Sequence, residues 1–97
     1  MGREETIRTL RKRQEELRAR FGVRSLRLFG STARDEAGPQ SDVDILVDFD
    51  TPPSLIGFLG LRSFLEDVLG ARVDLVTEGG LKERARASVE QDAVRVA

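Results

Sequence analysis

The segment DVDILVDF, residues 42–49, restricts the fold more than any other part of this 97-residue chain. Its residues alternate. In a strand, Asp42, Asp44, Leu46 and Asp48 point to one face, and Val43, Ile45 and Val47 point to the other. A strand with one wholly aliphatic face needs other elements to cover that face. Two more runs share the pattern. VRSLRLF, residues 23–29, ends at the Gly30-Ser31 break, and ARVDLVT, residues 71–77, lies between Gly70 and Gly79-Gly80.

Helices account for most of the rest. Residues 4–21 place Ile7, Leu10, Leu17 and Phe21 close to one helical face, with Glu4–Arg8 and Lys12–Glu16 as opposite-charge pairs and Gly22 as the stop. Ser31 can open a short helix over residues 31–37, followed by a turn at GPQS. TPPS breaks the chain after Asp50, and Ser54 can cap a helix over residues 55–69 that buries Leu55, Leu59, Leu65 and Leu69. Gly57 and Gly60 weaken that helix locally, and Gly70 ends it. Leu81, Ala85, Val89 and Val96 form a last helical stripe, with a short extended VRVA at its end. The order is helix, strand, short helix, strand, helix, strand, helix. It implies an α/β class, in the α+β style, with one small sheet backed by helices.

No linker divides the chain, so residues 1–97 are expected to form one domain. At 39% hydrophobic residues there is material for one modest core, and a partner or self-association into a homo-oligomer would add stability. No run of about 18 apolar residues exists to span a membrane, and the charged N-terminal stretch lacks an apolar signal region. Without cysteine there are no disulfides and no thiolate metal ligands, which suits the cytoplasm. There is no histidine, so proton transfer falls to carboxylates, Lys, Ser, Thr or a metal-bound water. Tyr and Trp are absent, and the core is expected to claim most of the five Phe, so stacking on nucleic-acid bases is poorly served. Residues 1–27 carry nine basic and four acidic side chains, whereas residues 35–50 carry six acidic and none basic. An acidic centre in a chain of net charge −1 argues against a general nucleic-acid binder.

The acidic centre carries the chemistry. Asp42 and Asp44 project side by side from one strand face. Two ionised carboxylates so placed repel one another unless a cation lies between them. A hard divalent ion such as Mg²⁺ takes one or two carboxylates together with substrate phosphates. Asp74, set between the core-type residues Val73 and Leu75, is a candidate third carboxylate from a neighbouring strand. Gly30 allows a close backbone approach, Ser31 offers free N–H groups and a hydroxyl at a helix start, and Arg34 stands about one turn later. Together they suit nucleotidyl or phosphoryl transfer with two ions. On spacing alone another reading stands beside this one, a solvated strand edge whose charges discourage aggregation. A calcium loop fits poorly, because the run lacks that loop's glycine and closing Glu. Asp48 and Asp50 read as solvated edge acids.

The full stretch LFGSTARDEAGPQSDVDILVDF, followed by RVDLVT at residues 72–77, resembles the signature of the DNA polymerase β-like nucleotidyltransferase superfamily. Length and ending resemble its minimal nucleotidyltransferase (MNT) family in prokaryotes. The resemblance implies a mixed sheet, two Mg²⁺ ions, and a nucleoside triphosphate, ATP, attacked at its α-phosphate with loss of pyrophosphate. Position by position, Gly30 and Ser31 match the phosphate-binding turn. Asp42, Asp44 and Asp74 match the metal-holding catalytic carboxylates, with Asp74 also suited to activating an acceptor hydroxyl. Arg34 matches a recurrent arginine. Where many members have glycine after Ala-Arg, this chain has Asp35. The family further implies an antitoxin paired with a HEPN-type toxin, some members moving AMP onto a toxin tyrosine. With no tyrosine here, such an acceptor belongs to another protein. An inactive relative that neutralises its toxin by binding is the rival expectation.

Overall fold

The computed structural model describes residues 2–30, 42–77 and 94–96. The short helix expected over residues 31–37, the GPQS turn and the stripe Leu81, Ala85 and Val89 lie outside the described residues.

Two helices, α1 (Arg3–Lys12) and α2 (Gln14–Phe21), precede strand β1 (Val23–Phe29). Strand β2 (Val43–Phe49), helix α3 (Leu55–Leu69), strand β3 (Val73–Thr77) and strand β4 (Val94–Arg95) follow. The sheet order is β3-β2-β1-β4. β1 runs antiparallel to both β2 and β4, and β2 runs parallel to β3, so the sheet is mixed as expected. A parallel pair needs a crossover between its strands, and α3 supplies it.

The alternation in β2 sorts as the sequence implies. Val43, Ile45 and Val47 join the main core, where Leu26 and Leu28 of β1, Val73 and Leu75 of β3, and Val96 meet Leu10, Leu17, Leu61, Leu65 and Leu69 of the helices. The opposite face carries Asp44, Leu46 and Asp48, opposed in β1 by Phe29, Arg27 and Ser25. Phe29, Leu46 and Val76 form a second, smaller apolar cluster there.

Three expectations need correction. The N-terminal helix is not continuous: Arg13 leaves helical geometry at φ −102° and ψ 9°, and its N–H donates to the Leu10 carbonyl at 3.0 Å. The break lets the two halves pack on different elements, α1 against α3 and α2 against β1. The surface ion pairs also differ, since Glu16 pairs with Arg20 at 2.9 Å and with Arg13 at 3.4 Å, and Glu4 pairs with Arg3. Finally, α3 buries only part of the expected set, Leu65 and Leu69, and adds Leu61, whereas Leu55 is 73% exposed and Leu59 is 45% exposed. Helix ends follow the sequence closely. Gly22 and Gly70 take left-handed φ values of 66° and 63°, and the Ser54 hydroxyl accepts from the Gly57 N–H at 3.1 Å.

Candidate active site

The site assembles where β2 and β3 begin. The Val43 N–H donates to the Arg72 carbonyl at 2.9 Å, which sets the register of the parallel pair. In that register Asp44 lies directly opposite Asp74, with Val43 opposite Val73. Adjacent strands lie about 4.8 Å apart, and strand residues two apart are separated by about 6.6 Å on one face. Asp42 stands immediately before β2, next in sequence to Val43, and so flanks this pair at the start of the strand. Asp42 and Asp74 are exposed and Asp44 is half-buried. Asp44 already has a partner within the protein.

Gly30 belongs to the same patch. It follows Phe29, the residue opposite Asp44 in β1, and takes a left-handed φ of 66°. A Cβ at this position would overlap the Asp44 carboxylate oxygen Oδ2 and sit 3.2 Å from its Cγ. Glycine is thus required twice over, by backbone conformation and by the carboxylate packed against it. Ser31, Arg34 and Asp35 lie outside the described residues, so of the expected set the structure brings together Gly30, Asp44 and Asp74, with Asp42 just ahead of β2.

An all-oxygen donor set on one sheet face has the chemistry a hard divalent ion requires. Among the described residues, no three acidic or other ligating groups converge closely enough to hold one ion as they stand. The backbone positions are adjacent, so gathering the carboxylates is a matter of side-chain torsions and not of strand rearrangement. Repulsion between like charges favours the spread arrangement.

A residue that the sequence reading passed over fixes one side of the patch. Glu66 of α3 accepts the Val73 N–H through Oε2 at 3.0 Å, immediately before Asp74. The sequence carried a signal for it. An acid in the last turn of a helix opposes the macrodipole and so needs a compensating partner. Asp48, expected to be a solvated edge acid, stands within β2 with its side chain 39% exposed and accepts from Arg24 at 3.0–3.1 Å. Asp50 is exposed.

Comparison with known proteins gives the same architecture. The family model described as the nucleotidyltransferase domain matches residues 10–96. Protein adenylyltransferase MntA of Thermococcus cleftensis is 51% identical over 83 residues, covering 86% of this chain and 84% of that protein. A solved structure of a candidate minimal nucleotidyltransferase superimposes with a TM-score of 0.78 at 42% identity, over 97% of this chain and 95% of that one. The fold is also that of a chain from the complex of a tri-AMPylated Shewanella oneidensis HEPN toxin with MNT antitoxin, at TM-score 0.67 and 21% identity over 98% and 71% of the two chains. Among the described residues no helix is long and apolar enough to cross a membrane. Motif, sheet topology and comparisons agree, and the chain belongs to the nucleotidyltransferase domain family, with minimal nucleotidyltransferases among its relatives.

Proposed function

We propose that this chain, working as a single domain across residues 1–97, is a Mg²⁺-dependent adenylyltransferase. It moves AMP from ATP to a hydroxyl, a tyrosine side chain, of a HEPN-type partner toxin, and so acts as the antitoxin. The observation that carries this reading is the register of Asp44 against Asp74, with Gly30 seated on the Asp44 carboxylate. The likeness to MntA, a protein adenylyltransferase, supports the same chemistry.

In this reading Asp42, Asp44 and Asp74 hold two Mg²⁺ ions. When bound, the metal neutralises the triphosphate and the charge that develops on its oxygens. Gly30, lacking a Cβ, lets the triphosphate approach the backbone, and Ser31 and Arg34 supply donors to its oxygens. The Asp74 carboxylate accepts the proton of the acceptor hydroxyl. The acceptor oxygen bonds to the α-phosphorus, the bond from that phosphorus to the bridging oxygen breaks, and pyrophosphate leaves. The acceptor comes from a partner because the chain contains no tyrosine.

The test is incubation of the purified protein with labelled ATP, Mg²⁺ and the protein encoded beside it. Label is expected on a tyrosine of that neighbour. Absence of transfer, or equal transfer by Asp42→Asn with Asp44→Asn, would refute the enzymatic reading. If that double variant still neutralises the toxin fully, complex formation alone explains the antitoxin action.

A further inference from the structure

We propose that the outer face of α3 is a dimer seam, and that its occupant is α3 of a second copy of this chain, lying antiparallel to it. Among the described residues, the exposed large hydrophobic side chains are Leu55, Ile56 and Leu59, all within the first five residues of α3. Exposed apolar residues scattered singly are ordinary, whereas a cluster of them marks a contact surface. None of residues 51–61 is charged, in a chain where 34% of residues are. Depletion of charge is the compositional mark of the centre of an interface.

The residues along the helix select the occupant. Leu61, Leu65 and Leu69 join the core. Ile56, Gly60, Ser63 and Asp67 are exposed and alternate steps of four and three residues, the spacing of a two-helix seam. Gly60 has no explanation within the chain. Among the described residues, a Cβ there would meet a Phe21 ring atom at 3.9 Å, an ordinary contact, and alanine favours a helix more than glycine does. A bare backbone at an exposed mid-helix position suits the close approach of another helix. The bulky Leu55, Ile56 and Leu59 fill the first half of the exposed face, and the small Gly60 and Ser63 follow them. Two copies related by a twofold axis near Gly60 would set Ile56 of each against Ser63 of the other, and Leu59 against Gly60. Charge selects the same arrangement. α3 has no acid in its first turn and no base in its last, where Asp67 is exposed, so the pattern opposes the helix's own dipole. In the antiparallel pair Asp67 reaches the positive N-terminus of the second copy's helix. A parallel pair would set Asp67 beside Asp67 and bulk against bulk. Since β3, with Asp74, begins just past the end of α3, the antiparallel pair holds its two acid sites at opposite ends of the seam. A seam one helix long, about 22 Å, is smaller than a standard interface, so association is expected at about 10–100 μM chain.

Sedimentation equilibrium of the full chain, without nucleotide or metal, tests the seam independently of any transfer activity. The average mass should rise from one chain toward two between about 10 and about 500 μM. Ile56→Asp and Gly60→Gln should each weaken association about tenfold or more while retaining the far-ultraviolet spectrum of the wild type. Gly60→Gln should not lower the thermal midpoint of the dilute chain, because glutamine favours a helix more than glycine does. The chain has no cysteine, so cross-linking can read the orientation. A mixture of Ile56→Cys and Ser63→Cys chains should form disulfide-linked dimers about tenfold or more faster than either variant alone. A wild type that stays a single chain at about 500 μM, an Ile56→Asp variant that associates as strongly as wild type, or cross-linking as fast in the separate variants as in their mixture overturns the proposal. A monomeric wild type whose Ile56→Asp variant no longer binds the protein encoded beside it overturns the proposal in favour of that partner.

Discussion

Gly30→Ala separates what the site needs from what the fold needs. The substitution imposes two costs. The first is conformational: an alanine at φ 66° incurs the left-handed penalty of about 1–2 kcal/mol. The second is local, because the new methyl would occupy the space of Asp44 Oδ2, with Asp44 Cγ 3.2 Å away. Oδ2 ends a side chain, so the carboxylate can rotate aside, but it then leaves its place opposite Asp74 and the partner it has within the protein. Gly22→Ala is the internal control. Gly22 has the same φ of 66°, and a methyl there would meet nothing within 4 Å, so it carries the conformational penalty without the displacement. Both variants should lose about 4–16 °C of midpoint, from about 4–8 °C per kcal/mol in a domain of this size. Their transfer rates should diverge. Gly22→Ala should stay near wild type below its melting transition, whereas Gly30→Ala should fall by on the order of 100-fold, the scale of a 1 Å misplacement of a reacting group. Scanning calorimetry and a labelled-ATP transfer assay on the same preparations give both numbers. A Gly30→Ala rate within threefold of Gly22→Ala would show that the Asp44 carboxylate does not need the position the glycine allows it.

Other expectations follow from specific contacts. Glu66→Ala removes the acceptor of the Val73 N–H and should cost about 1.5–3 kcal/mol in urea unfolding, with a lower transfer rate because Asp74 follows Val73 directly. Leu65→Ala, in the core, should cost about 2–5 kcal/mol. Ile56→Ser, at a position 84% exposed, should change stability by less than about 0.5 kcal/mol, and the pair of denaturation curves checks which face of α3 is buried. Ser54→Ala should cost about 1 kcal/mol through loss of the cap on Gly57, read from the same urea curves.

Much of the fold was legible because glycine, proline and serine punctuate it. The bounds of β1 and α3, and the end of α2 at Gly22, follow from such residues. The break at Arg13 was not legible. Lys12, Arg13 and Gln14 all favour helix, and the interruption arises from α1 and α2 packing on different elements. The exposure of Leu55 and Leu59, against the expected burial of both, has another cause. Leu55, Ile56, Phe58, Leu59, Leu61, Phe64, Leu65 and Leu69 leave no single apolar stripe, so tertiary contacts decide which leucines are covered. The shared face of Asp44 and Asp48 was legible because strand side chains alternate with a two-residue period, whereas Asp42 stands just ahead of β2. What no local pattern supplies is the register that sets Asp44 against Asp74, and the closeness of Gly30 to that carboxylate.

The parallel pairing has a consequence for when the site comes into being. Asp42 and Asp44 need only the antiparallel partner of β2, which precedes it closely in the chain. Asp74 reaches them only after the crossover through α3 has closed a much longer loop, and contacts of high sequence separation form late because their closure entropy must be met first. A chain emerging from the ribosome therefore displays two of its acids well before the third can join them. Activity would report completed folding, and a partly folded chain would hold an incomplete carboxylate set.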